Sequence, residues 1–145
     1  LMIVSDGFDA YISRLLVKAK LDLEFKANTL HIQEDGNCSV SFPYSYPDCT
    51  CSANCKRNHL LLNSGDDDFI VYIGDGISDF CPARYADLVF AKGSLETHCQ
   101  QNNISFRRLF SFDEVRAYLE ELTKKKRLRK PKQAELLRKS VWMSG

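Results

Sequence analysis

The stretch that most constrains the fold is Ile70-Val71-Tyr72-Ile73-Gly74-Asp75-Gly76-Ile77-Ser78-Asp79. A β-branched apolar run of this kind reads as a strand buried on both faces of a parallel sheet. It ends in Gly-Asp-Gly, where glycines on either side of Asp75 allow the backbone to turn sharply. The carboxyl ends of strands are where open α/β sheets bind ligands. Asp79 follows four residues after Asp75, so two hard oxygen donors are expected at that tip. Such a pair suits magnesium, which takes one or two carboxylates and keeps its other positions for water and phosphate. An ordinary turn would use the same residues, so these ten positions alone do not decide the function.

The rest of the chain repeats the strand–helix alternation. Residues 1–5 are a short apolar strand. Residues 8–19 carry apolar side chains at Phe8, Tyr11, Ile12, Leu15, Leu16 and Ala19, the stripe of a helix packed on a sheet. Residues 29–32 and 40–42 flank Glu34-Asp35-Gly36-Asn37, a hairpin signal. Pro43 and Pro47 then impose an irregular loop. Helices are predicted over residues 56–63, from Ser78, and over 95–101 and 112–122. Strands are predicted over 69–73 and 87–91. This order argues an α/β fold with a doubly wound parallel sheet. The glycine-marked turn at Asp6 and Gly7 sets a helix amino end against the first strand tip, where backbone N–H groups attract anions.

With Met2-Ile3-Val4-Ser5-Asp6-Gly7-Phe8-Asp9 upstream and Asn54-Cys55-Lys56 between, the chain resembles the phosphatases of the haloacid dehalogenase superfamily. Within it, the resemblance is to the methionine-salvage branch, with phosphoserine and phosphocholine or phosphoethanolamine phosphatases more distant. It spans roughly residues 1–122 and covers three of four motifs in order. It implies a Rossmannoid parallel sheet flanked by helices, with a small hairpin and loop insertion at about residues 24–55. By its terms, Ser5, Asp6, Gly7 and Lys56 bind phosphate, Asp75 and Asp79 hold magnesium, and Lys56 and Asp79 assist catalysis. The substrate is a small phosphorylated metabolite, hydrolysed through an aspartyl-phosphate.

One motif is missing. The nucleophile of such enzymes lies in Asp-x-Asp at the end of the first strand. The only Asp-x-Asp here, within Asp66-Asp67-Asp68, precedes a strand. The expectation is therefore a phosphatase portion without its first strand and cap. The alternative is a non-catalytic homologue that acts as a binding module. Loss of a central strand would also expose sheet edges and apolar helix faces, which favours self-association.

Charge is unevenly spread. Residues 124–145 hold nine Lys/Arg and one acid, against 11 basic and 18 acidic side chains in residues 1–123. The basic segment is read as a solvated, partly disordered tail. Its single aromatic, Trp142, argues against single-strand nucleic-acid binding. No apolar run reaches membrane-spanning length, and a cytoplasmic location is expected. Cys49, Cys51 and Cys55 have a spacing worth testing for a metal, though no second Cys-x-x-Cys pairs with them. His31, His59 and His98 have no partners at a useful spacing and are assigned no catalytic role.

Overall fold

The computed structural model describes residues 1–143, the side chain of Trp142 excepted. The chain divides into two compact units, residues 1–59 and residues 60 onward.

In the first unit, β1 (Met2–Phe8) leads through α1 (Asp9–Ala19) to β2 (Glu24–Ile32), and β3 (Cys38–Ser41) completes a three-stranded sheet in the order β1-β2-β3. β1 and β2 run parallel, pairing Met2 with Glu24, Ile3 with Phe25 and Val4 with Lys26. β2 and β3 form the predicted hairpin, with Thr29 opposite Ser41 and Ile32 opposite Cys38. β2 thus begins earlier than expected. Its first half extends the parallel ladder and only its second half belongs to the hairpin.

α1 ends on Lys20 in the left-handed conformation, whose N–H reaches the carbonyls of Leu16 and Val17. Of the predicted apolar stripe on α1 only Ile12 is buried, and Leu15 is 60% exposed. The sequence forms the helix, but much of its apolar face is exposed. The first unit buries few apolar side chains, namely Ile12, Ala27 and Cys55. Beside them it buries Asn28, Asn54, Lys56 and His59. Polar groups taken out of water cost free energy unless hydrogen-bonded, so this unit is organised by its hydrogen bonds.

α2 (Lys56–Leu62) leads into the second unit. There β4 (Val71–Gly74), β5 (Leu88–Ala91) and β6 (Phe106–Arg108) form a wholly parallel sheet in sequence order. α3 (Phe80–Ala83), α4 (Gly93–Gln101) and α5 (Phe112–Thr123) connect or follow the strands. Ala83, Ala86, Val89, Ala91, Leu95 and Cys99 make the core, with Ile70, Tyr72 and Phe106 packed on it. The α/β architecture expected from the sequence is the one observed. The three-residue β6 was missed, because Phe106-Arg107-Arg108 is too short and too charged to show periodicity.

The basic segment is not a disordered tail. Residues 132–143 form α6 (Lys132–Met143), and Arg138 anchors it. Its guanidinium donates to the Tyr85 carbonyl at 2.6 Å and to Asp87 Oδ1 at 2.9 Å, while Asp87 Oδ2 accepts the Ile70 amide at 2.8 Å. The Asp87 side chain is fully buried and that of Arg138 is 10% exposed. Removing one partner of such a pair strands the other charge in a poor solvent. Arg138→Ala is therefore expected to lower stability by about 3–5 kcal/mol in urea denaturation. A loss below about 0.5 kcal/mol, the ordinary surface effect, would mean that α6 is not docked.

Candidate phosphate and metal site

The first group of predicted residues sits on an irregularity of β1. Val4 and Phe8 are four positions apart while their partners Lys26 and Asn28 are two apart. Ser5, Asp6 and Gly7 therefore bulge from the ladder, a device by which strands re-aim side chains near sites. The strand runs on to Phe8 instead of stopping at Ser5, and α1 begins at Asp9. The expected helix-end anion site is modified accordingly. The Gly7 amide is already donated to Ser5 Oγ at 3.0 Å. Ser5 Oγ accepts that bond, and its own proton has no acceptor among the described residues. A hydroxyl held in this way offers a donor to a phosphate oxygen.

Asn54 docks the motif carrying Lys56 onto this bulge. Its amide N–H donates to Asp6 Oδ1 at 2.9 Å. Its Nδ2 donates to the carbonyls of Ser5 at 2.8 Å and Lys26 at 3.0 Å. Its Oδ1 lies 2.7 Å from His59 Nε2. Since Nδ2 is committed to two carbonyls, Oδ1 is the acceptor and His59 carries its proton on Nε2. Asn28 Nδ2 ties the same bulge from β2, donating to the Asp6 carbonyl at 2.8 Å. Lys56, two residues beyond Asn54, opens α2 and is 8% exposed. Ser5, Asp6, Gly7 and Lys56 are thus brought onto one hydrogen-bonded framework.

Asp75 and Asp79 lie together in the second unit, at the carboxyl end of β4. Asp79 is 4% exposed. Its Oδ2 accepts the amides of Asp75 at 2.9 Å and Gly76 at 3.0 Å, and its Oδ1 accepts the Tyr72 hydroxyl at 2.7 Å. Asp79 therefore holds the loop in shape with both oxygens. Asp75 is exposed, and its carboxylate makes no hydrogen bond or ion pair with the described residues. Its carbonyl accepts Ser94 Oγ at 3.2 Å and the Leu95 amide at 3.3 Å.

The glycines act differently from the sequence expectation. Neither Gly74 nor Gly76 has a positive φ. Gly74 matters for space, because a Cβ there would lie 2.6 Å from Asp79 Oδ2. Gly93, at φ +58, combines left-handed backbone with a close approach, its Cβ position being 2.9 Å from the Asp75 carbonyl. The exposed Asp75 carboxylate is a hard oxygen donor of the kind magnesium takes.

Asn54, Asn28, His59 and Tyr72 are the positioning residues that sequence reasoning missed. Asn54 was visible in Asn54-Cys55-Lys56 but its partners lie far away in sequence. His59 follows Asn54 by five residues, a spacing that becomes a contact only when α2 starts at Lys56. Burial, reinforced by the positive charge of Lys26, holds the His59 pKa below its ordinary 6.5, and Glu24 opposes this. The folded state thus favours the neutral ring and the unfolded state binds the proton more readily. Stability from this site is complete above about pH 6.5 and declines as pH falls through the lower folded pKa. His98 shifts in the same direction, through burial and Arg84. The melting temperature is expected to fall between about pH 7 and pH 5, and His59→Gln to remove part of that slope. A slope unchanged in His59→Gln but abolished in His98→Gln would contradict this.

No family model matches the chain. Curated relatives do. The chain is 31% identical over 119 residues to a 2-hydroxy-3-keto-5-methylthiopentenyl-1-phosphate phosphatase of Bacillus cereus, covering 81% of this chain and 54% of that protein. A second Bacillus cereus strain has one 31% identical over 120 residues, with the same coverage. That of Bacillus thuringiensis subsp. konkukian is 30% identical over 123 residues, covering 83% of this chain and 55% of the relative. The chain spans about half the length of the curated relatives it matches. Over that shared region, the chain is a homologue of these haloacid-dehalogenase-type phosphatases, as its motifs led one to expect.

Proposed function

We propose that this chain provides the phosphate-holding and magnesium-holding parts of a phosphomonoester hydrolase, acting on a small phosphorylated metabolite. The observation that carries the reading is the Ser5 hydroxyl. It is braced by the Gly7 amide and free to donate, on a bulge fastened by Asn54 to the motif of Lys56. Phosphoryl transfer depends on positioning and on neutralising the phosphoryl oxygens. In this reading Ser5 donates a hydrogen bond to one oxygen, and the Lys56 ammonium balances charge on another. Asp6 keeps the bulge in place through Asn54. Asp75 is the carboxylate that holds magnesium, and Asp79 fixes the tip that presents it. Magnesium held by Asp75 would supply positive charge at that tip.

In this reading the attacking group is an Asp carboxylate that forms an aspartyl-phosphate. Asp66-Asp67-Asp68 does not serve, since Asp68 Oδ2 closes a turn by accepting the Gly65 amide at 2.8 Å. The relatives' name supplies the substrate proposal, 2-hydroxy-3-keto-5-methylthiopentenyl-1-phosphate. Among the described residues no helix is long and apolar enough to cross a membrane. A basic segment whose Arg138 is spent internally gives nucleic acid no special support. The partly exposed α1 face makes self-association the proposed oligomeric tendency.

Calorimetric titration with inorganic phosphate tests the first-unit group, and a separate titration with magnesium tests Asp75. Lys56→Ala should weaken phosphate binding about tenfold or more, and Ser5→Ala about two- to tenfold. Asp75→Asn should abolish magnesium binding. Phosphate binding indifferent to Lys56 and Ser5 would overturn the assignment.

A further inference from the structure

Between α5 and α6 the chain runs Lys124-Lys125-Lys126-Arg127-Leu128-Arg129-Lys130-Pro131-Lys132, without a single acid. Both ends of this strap are fixed. The Lys125 amide donates to the Leu122 carbonyl at 3.1 Å, and the Pro131 carbonyl accepts the Glu135 amide at 3.2 Å. Lys130 Nζ donates to the Asp66 carbonyl, and Arg138 holds α6 through Tyr85 and Asp87. Lys124 is paired with Glu121. Lys125, Lys126, Arg127, Arg129 and Lys132 are exposed, and their side chains make no hydrogen bond or ion pair with the described residues. Asp67 and Glu135 border a cavity beside Arg127, Arg129 and Lys130, but Glu135 is already bonded to Lys139 at 2.7 Å. One acid does not balance these cations, so a positive excess is held in place.

α6 continues the same surface. Ala134 and Arg138 are buried and Leu137 and Val141 half-buried, and at ~100° per residue these four share the inward side of the helix. Lys132, Leu136, Lys139 and Met143 fall on the opposite side. Leu136 is 57% exposed and Met143 87% exposed, and both lysines are exposed. Single apolar side chains in water are ordinary on a protein surface. Here they alternate with lysines along one stripe that carries no carboxylate. Lysine stems lie along an apolar boundary while their ammonium groups stay among polar partners, so such a stripe suits the boundary between lipid head groups and acyl chains.

We propose that residues 125–132 and the outward stripe of α6 dock on an anionic membrane surface. The unpaired cations meet the lipid phosphates and carboxylates, an attraction that grows with each Lys or Arg near the surface. Leu136 and Met143 enter the head-group boundary, and Lys132 and Lys139 reach back to the phosphates beside them. The remaining charge sets the orientation. Residues 1–123 carry 18 acidic and 11 basic side chains, so a negative surface repels them while it attracts the strap. A nucleic acid would meet the same cations but offers nothing apolar to Leu136 and Met143, and Arg138 is committed inside the fold. The inference rests on the strap and one helix face and stands whether or not the phosphate reading holds.

The test is sedimentation of the full chain with vesicles of phosphatidylcholine, alone or with about 30% phosphatidylserine. The expected result is binding to the phosphatidylserine vesicles only, lost in about 0.5 M salt, where surface charges are screened. Each cation beside an anionic bilayer strengthens partition about fivefold, so replacing Lys125, Lys126 and Arg127 together by Gln should weaken binding about 100-fold. Leu136→Asn, which removes an inserted apolar side chain, should weaken it about threefold or more. All four positions are exposed, and urea denaturation checks that each variant keeps its fold. Equal sedimentation with both vesicle types, or none with either, would overturn the proposal on the unsubstituted chain alone. Either variant binding as tightly as the unsubstituted chain would do the same. Retention on duplex DNA without binding to phosphatidylserine vesicles would assign the strap to nucleic acid instead.

Discussion

Everything at the first-unit site depends on the buried amide of Asn54. Fully buried, it makes three hydrogen bonds, to the Ser5 and Lys26 carbonyls and to His59, and the Asn54 backbone N–H adds a fourth, to Asp6 Oδ1. A primary amide with both donors and its carbonyl engaged is nearly saturated. Such networks specify a unique arrangement when complete and are costly when one member is lost. Here the network joins the β1 bulge, β2 and the start of α2, three segments with little apolar burial between them. That is why Ser5 and Lys56, fifty-one positions apart in the numbering, have defined places.

The second unit solves a similar problem with a carboxylate. Asp79 spends both oxygens on Asp75, Gly76 and Tyr72, which leaves the Asp75 carboxylate exposed on a fixed tip. In both units a buried polar side chain closes the loop and its neighbour keeps an uncommitted polar group. Preorganised groups of this kind need no rearrangement when a charged ligand arrives. Roles that looked equivalent on paper are thereby separated. Asp79 shapes the loop, and the Asp75 carboxylate is the one left exposed.

Periodicity was enough to read the α/β architecture, the β4 strand, the β2–β3 hairpin and most helices, because these are local patterns of apolar spacing. The order of the motifs was enough to reach the phosphatase relatives. The β1 bulge was not legible, since it depends on the register against β2, a non-local pairing. Nor was the docking of α6, where a basic run suggested solvent while Arg138 found Asp87 inside the second unit. The apolar spacing of α1 was read correctly, but spacing does not say whether a partner covers Leu15. Asn54 and His59 carried no periodic signal at all, and their roles appear only once the loop is folded.

The most direct measurement is turnover of a generic aryl phosphate by the chain as it stands, with magnesium, beside Asp75→Asn. If the chain supplies positioning groups and the nucleophile comes from outside these residues, hydrolysis stays at the level of the magnesium blank for both proteins. Magnesium-dependent turnover that Asp75→Asn abolishes would contradict the account, because it would place an attacking group within these residues or in a second copy of them.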